Sequence, residues 1–185
     1  MRVKPNRIPL HEADMLYEFE SKEIIAVLES NGIEVLNISP AGSLRREKNT
    51  IGDIDIVIEV DNTDICGEIL ERELNYKLCN RGAFYKSKIQ ETGIDLFVAG
   101  KNRNNFYAML FWLTGCEDWN LRVTSYLKRN TKVRLLPFRF INIETKEVFD
   151  FKSEKEIFSL FNHNYVIPKD RRPMNLNLEK KWKFH

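Results

Sequence analysis

The sequence predicts an α+β fold, a small mixed sheet with helices on it followed by a small C-terminal α+β lobe. Three observations predict it. Apolar spacing switches between the helical and the strand period through the first hundred residues; the polar stretch AGKNRNN, residues 99–105, interrupts both; and helices, a hairpin and a further helix follow it. The division expected is residues 1–104, an N-terminal helix with the sheet, and residues 105–185, a second lobe with a basic tail, hinged near 100–115.

Taken in order, HEADMLYEFESKEIIAVLESNG at 11–32 has apolar residues at helical spacing and a glycine stop at Gly32, which predicts a helix. Residues 33–41 read as a strand ending in the Gly42-Ser43 turn, and 54–60 as a second strand. Residues 64–76 read as a helix, and 83–90 and 93–99 as two strands joined by the polar QET turn. Beyond the boundary, helices are expected near 105–113 and 117–130, broken at Thr114-Gly115. LPFRFINIETKEVFDF, 136–151, reads as a hairpin, and Ser153 to Glu156 form a capping box that opens a last helix.

The 185 residues are 43% hydrophobic and 30% charged, a composition that excludes a disordered chain. The longest apolar run, Phe106 to Leu113, is interrupted by Tyr107 and is too short to span a bilayer, and the N-terminus has no apolar signal region, so no membrane is expected. Cys66, Cys79 and Cys116 are odd in number and lack CxxC spacing, which argues against both a disulfide framework and a zinc site. A reducing, cytoplasmic setting follows, in a bacterium or in a cell infected by a virus or phage, with the nucleus left open. Net charge is only +2, yet Lys101 to Arg134 holds seven Lys/Arg against Glu117 and Asp118, and the tail from Lys169 adds six more, Lys180, Lys181 and Lys183 among them, against Asp170 and Glu179. Such an excess is either a solvated face or a track for a phosphate backbone.

Chemistry concentrates in AGSLRREKNTIGDIDIVIEV, residues 41–60. In a strand, residues two apart share a face, so Asp53 and Asp55 point one way while Ile54, Ile56 and Ile58 point the other. Two parallel carboxylates repel unless a cation sits between them. A third, Asp95, is a single charge within the apolar strand of TGIDLFVAG, costly there unless it lines a site. Laid side by side, these strands bring three carboxylates together, a set suited to two Mg²⁺ ions, with Mn²⁺ as a substitute, spaced about 3.5–4 Å apart for phosphoryl transfer. The Gly42-Ser43 turn offers backbone N–H groups and a hydroxyl to a triphosphate. An Asp-x-Asp at a strand edge is commonly only solvated, and Gly-Ser commonly only a turn; their combination with a later strand aspartate is what points to a site.

GSLRREKNTIGDIDIVI at 42–58 resembles the palm signature of the X family of DNA polymerases, within the nucleotidyltransferase superfamily. RIPL at 7–10 is similar to the segment that opens that family's catalytic core, LTGCEDWNLR at 113–122 to its Thr-Gly turn and nucleotide-binding helix, and SEKEIF with YVIPKDRR to its end. The likeness runs from Arg7 to Arg172. It implies a palm, and a metal-dependent polymerase adding dNTPs to a primer 3′-hydroxyl, filling short gaps in DNA repair. Asp53 and Asp55 would bind both metals, and Asp95 the catalytic one while helping to deprotonate the primer. Arg7, Gly42, Ser43, Arg46 and the Gly52 backbone would hold the triphosphate, and Trp112, Leu113, Gly115 and Asn120 the nucleotide, Asn120 at its minor-groove edge. Arg122, Lys128 and Arg129 would contact DNA. The implied partners are gapped or primer-template DNA and a dNTP, with the chain a monomer.

Departures are as informative. Trp112-Leu113 stand where relatives carry an aromatic pair that limits ribonucleotides, Phe97 where an arginine is common, and Leu136-Pro137-Phe138 where Asn-Glu-Tyr is usual. The core motif starts at residue 7, which leaves no room for N-terminal helix-hairpin-helix modules and leads to the expectation of a reduced form. Template-independent addition, and a non-catalytic module that binds DNA ends, stay open as alternatives.

Overall fold

The structure is a computed structural model that describes residues 7–80, 84–89, 91–100 and 105–172. Strand β1 (Ile8–Pro9) leads into helix α1 (Leu10–Ser30), followed by β2 (Val35–Pro40), the single-turn α2 (Gly42–Arg45), β3 (Thr50–Ile51), β4 (Asp53–Val60), α3 (Thr63–Glu73), β5 (Lys77–Asn80), β6 (Phe84–Ile89) and β7 (Thr92–Ala99). After these come α4 (Phe106–Thr114), α5 (Glu117–Asn130), β8 (Val133–Leu136), β9 (Arg139–Asn142), α6 (Glu154–Ser159) and a 3₁₀ turn at Pro168–Asp170.

The main sheet has the order β2-β4-β7-β6-β5 and is mixed: β4 and β7 run parallel, the other neighbours antiparallel. A parallel neighbour needs a crossover, and α3 with β5 and β6 lies in the chain between the two strands. On β4, Ile54, Ile56, Ile58 and Val60 join a buried cluster with Ile24 and Leu28 of α1 and Ile69 and Leu70 of α3; from β7, Ile94, Leu96 and Val98 enter the same cluster. Val57, Phe97 and Ala99, from the alternate positions, pack instead against Phe106, Met109 and Leu110 of α4. Strand alternation therefore gives Asp53, Asp55 and Asp95 the face that α4 covers farther along. A third cluster, rich in aromatic residues, gathers Phe111, Trp119, Phe140, Phe158 and Phe161 beneath α5 and the β8–β9 hairpin.

Local chemistry sets the ends of the helices. Gly32, at φ +78°, stops α1 in the left-handed conformation that glycine tolerates, and its N–H donates to the Glu29 carbonyl. The Asn62 side chain accepts from the Asp64 and Ile65 N–H groups at the start of α3, and the Asn105 side chain accepts from Ala108 N–H at the start of α4. At α6 the capping box is shifted: Ser153 Oγ accepts from Glu156 N–H at 3.4 Å, while Glu156 reaches back to the N–H of Lys152 rather than of Ser153.

Several strands depart from the sequence expectation, the two-residue β1 and β3 among them, which are too short to show alternation. β5 was not foreseen, since Lys77–Asn80 is short and lies at the edge of the sheet, where alternation is weak. The hairpin forms one strand earlier, because β8 pairs with β9 across the two-residue loop Pro137-Phe138. Within the stretch read as a hairpin the Asn142 side chain accepts from the N–H groups of Glu144 and Thr145 to form a turn, but its return is a single bridge between Ile141 and Val148. Residues 83, 90, 101–104 and the basic tail from 173 onward, with Lys180, Lys181 and Lys183, lie outside the described residues.

Candidate active site

Register brings the acids together. β4 and β7 pair so that Asp55 stands beside Asp95 and Asp53 beside Gly93. Asp53 is exposed, and Asp55 and Asp95 are half-buried. Partial burial, then the charges of Asp53 and Asp95, push the Asp55 carboxyl up to about 8, well above the usual carboxylate range. Burial likewise raises Asp95, against the pull of its hydrogen bond from Lys86. The mutual repulsion of the three acids outweighs the nearby charges of Arg46 and Lys86 at Asp55.

Gly42 shows how closely the chain wraps it. The residue sits at φ +54°, and a Cβ there would lie 1.8 Å from Asp55 Oδ2. Only glycine lets the backbone of α2 lie on the carboxylate in this way. The neighbouring Ala41 N–H donates to the Asp55 carbonyl at 2.8 Å, which fixes α2 to the strand.

From these acids a cleft of ≈ 950 Å³ opens, lined by Asp53 and Asp55, by Gly42, Ser43 and Arg46 of the α2 segment, by Arg7 and Lys48, and by Leu113 and Gly115. Lys169, Asp170 and Arg172 also line it. Arg46 Nη1 donates to the Thr114 carbonyl at 2.7 Å, while its Nε is buried without a partner; burial draws the guanidinium below its usual range. Arg7 Nε donates to Thr50 Oγ1 at 2.9 Å and Nη2 to the Thr50 carbonyl, so β1 and β3 carry it as a unit.

Residues 7–101 match the DNA polymerase beta palm family. The chain belongs to that family, the X family of DNA polymerases. Its members are nucleotidyltransferases. The chain is 27% identical over 173 residues to DNA polymerase/3′-5′ exonuclease PolX of Bacillus subtilis, which covers 91% of this chain but only 29% of that protein. It is 27% identical over 176 residues to Repair DNA polymerase X of African swine fever virus, covering 85% of this chain and 99% of the viral one, and 26% identical to that protein from another strain.

Within this X-family site, several expected residues stand differently from the sequence reading. The three carboxylates are neighbours, yet no three His, Cys, Asp or Glu side chains form a metal-holding group among the described residues. Asp95 is held by Lys86, whose Nζ lies 2.9 and 3.0 Å from its two oxygens, and Asp95 is absent from the cleft lining. As donors, the three supply only oxygen, which suits Mg²⁺ or Mn²⁺. Asn120 is 8% exposed, its amide donates to the Trp112 carbonyl at 2.7 Å with Oδ1 buried and unpartnered, and it does not line the cleft. Gly115 fits it closely, since a Cβ there would lie 2.4 Å from Asn120 Oδ1. Trp112 is half-buried against the aromatic cluster and Gly52 is buried, and neither lines the cleft. Arg122, Lys128 and Arg129 are exposed on α5, and Arg129 donates to Ser125 Oγ.

Sequence reading missed the groups that join α2 to the C-terminal elements. Arg45 donates to Thr114 Oγ1 at 2.8 Å and to Glu154 Oε2 at 2.7 Å, and Arg171 donates to Glu154 Oε1 at 2.7 Å. Arg171 is 1% exposed, with its guanidinium 5.4 Å from the centroids of both Phe111 and Phe158. Burial would raise the Glu154 carboxyl, but the Arg45 hydrogen bond and the Arg171 charge outweigh it and hold the group below its usual range. Within the sequence Glu154 stands out only as a member of the Ser153–Glu156 stretch that opens α6. The double arginine of SLRRE was its one sequence signal, because neither side chain has a partner nearby in the chain. The two departures Phe97 and Phe138 also prove to be linked: Phe84 stacks on Phe97 at 4.6 Å, and Phe138 meets the Phe97 edge at 5.6 Å.

Proposed function

We propose that this chain is a metal-dependent, template-directed DNA polymerase that adds dNTPs to a primer 3′-hydroxyl and fills short gaps during repair. The observation that carries the reading is the pairing of Asp55 with Asp95, beside Asp53, on a sheet face that opens into a cleft edged with arginine and lysine. Residues 1–104 serve as catalytic palm and 105–185 as nucleotide- and DNA-binding lobe. Asp53, Asp55 and Asp95 would hold Mg²⁺, with Mn²⁺ as a substitute, which would supply positive charge to acidify the primer hydroxyl and steady the leaving pyrophosphate.

The chain's own groups do the positioning. Arg46 and Ser43, both on the cleft wall, take the triphosphate, and the planar guanidinium fork suits phosphate oxygens. Arg7 reaches the same anion from the β1–β3 pair. Leu113 and Gly115 border the sugar, and Asn120 keeps the turn before α5 in shape through the Trp112 carbonyl. Asp95 takes the primer proton. Arg122, Lys128 and Arg129 meet the DNA backbone. The chain works as a monomer, in the cytoplasm of a bacterium or an infected cell; no helix among the described residues is long and apolar enough to cross a membrane.

The test incubates the chain with Mg²⁺, one labelled dNTP and either gapped or single-stranded DNA. Extension by the complementary nucleotide on the gapped substrate supports the reading. Extension of single strands points to template-independent addition, and binding without extension to an end-binding module. Asp95→Ala is expected to lower turnover about 10²-fold or more by removing the proton acceptor, while dNTP binding persists; near-normal turnover would overturn the three-acid assignment.

A further inference from the structure

Lys86 is absorbed neither by the family motifs nor by the reading above. It lies on β6 directly opposite Asp95 in the antiparallel β6–β7 pair, with Nζ within hydrogen-bond distance of both carboxylate oxygens. The side chain is 51% exposed at one end of the contact, whereas Asp95 is only 14% exposed. Its ammonium also sits 4.9 Å from the centre of the Phe84 ring, and Phe84 is stacked on Phe97, two residues after Asp95 on β7. Register from below and an aromatic face from the side thus hold the ammonium in place.

The geometry points to Lys86 as a positioning residue for Asp95, a built-in counter-ion that holds the carboxylate before metal binds and must release it when a divalent cation arrives. The geometry leads there: Asp95 spends both oxygens on one ammonium, which stands across the strand pair from it. A cation on Asp95 and the ammonium compete for the same lone pairs, and they also repel each other. Each effect works in one direction: Lys86 weakens metal binding at Asp95 and leaves the Asp53 and Asp55 side comparatively untouched. The consequence is ordered loading, with the Asp95 position filled only at higher metal concentration or once bound nucleotide brings further negative charge. Lys86 thereby sets a threshold for the metal nearest the primer.

This inference rests on the metal-dependent reading of the three acids, and the experiment separates the two. Binding of Mn²⁺ alone to the intact chain is followed by the loss of the free-ion EPR signal, at low ionic strength, for wild type, Lys86→Met, Lys86→Arg, Asp95→Asn and Asp95→Asn combined with Lys86→Met. Lys86→Met is expected to tighten the weaker site about tenfold, the size of one charge-assisted hydrogen bond released from a partly exposed pair. Lys86→Arg should stay near wild type, and Lys86→Met should change nothing once Asp95 is Asn. In the insertion assay, the half-saturating Mg²⁺ concentration should fall in Lys86→Met while the dNTP KM is unmoved. Because Lys86 is half exposed and Met keeps its length, the variant should fold, which circular dichroism checks. Unchanged or weaker Mn²⁺ binding by Lys86→Met overturns the inference alone, leaving Lys86 a strand-to-strand ion pair. Wild type that binds no Mn²⁺ overturns the metal reading, and the inference with it.

Discussion

Replacing Gly42 with alanine tests the site at its tightest point. The new Cβ would lie 1.8 Å from Asp55 Oδ2 and 2.8 Å from its Cγ, whereas folded proteins essentially never hold a Cβ closer than 3.0 Å to another heavy atom. The carboxylate must therefore retreat by about 1.2 Å, or α2 must lift off the strand by as much; displacements near 1 Å at a reacting centre cost about 10²-fold in rate. The residue also sits at φ +54°, so alanine adds left-handed strain of roughly 1–2 kcal/mol. That part lowers Tm by a few degrees, at roughly 2–4 °C per kcal/mol for a chain of this size. Gly32 supplies the control. It has φ +78° with nothing within 4 Å of its own Cβ position, so Gly32→Ala carries the strain without touching the site. The assay is kcat/KM for one dNTP on gapped DNA together with thermal unfolding of both variants. Comparable loss of Tm, with a rate loss confined to Gly42→Ala, is the expected pattern. If Gly42→Ala turns over as well as Gly32→Ala, Asp55 can move without consequence and the placement of the catalytic carboxylate is wrong.

Three further outcomes follow from the same geometry. Glu154→Gln leaves Arg45 and Arg171 without their acid and should cost about 3–5 kcal/mol, the range for a broken buried pair, measured by denaturant unfolding. Glu154 is held below its usual value in the folded state, so the stability it contributes is present above that usual value and is lost as pH falls through the depressed one; the variant should flatten the acid limb of the stability profile there. Leu113 lines the cleft beside Gly115, and Leu113→Phe should raise the dGTP over GTP preference opposite template C, a clash of this kind being worth up to a few kcal/mol; an unchanged ratio makes the backbone, not the side chain, the gate. DNA affinity should fall steeply with salt, and replacing Arg122, Lys128 and Arg129 by alanine should reduce the slope of log affinity against log salt by about 0.9 per lost phosphate contact. A slope equal to wild type would leave them a solvated face.

The sequence by itself determined the features that depend on neighbours in the chain. Alternation placed Ile54, Ile56 and Ile58 opposite Asp53 and Asp55, glycine stopped α1 at Gly32, and Thr114-Gly115 broke the helical run between α4 and α5. These are local because periodicity, caps and turns are decided within a few residues. The ordered motifs also named the family correctly from residue 7 onward. What only the tertiary structure decided are pairings across long separations. Asp55 meets Asp95 through a register forty residues long in the chain, Arg45 meets Glu154 across more than a hundred, and Phe97 meets Phe138 although each had been noted only as a separate departure. The shifted hairpin, the buried amide of Asn120 and the hold of Lys86 on Asp95 belong to the same class. A side chain's spacing reveals which face it takes; what it meets on that face is set by the packing of elements whose order in space the local pattern does not encode.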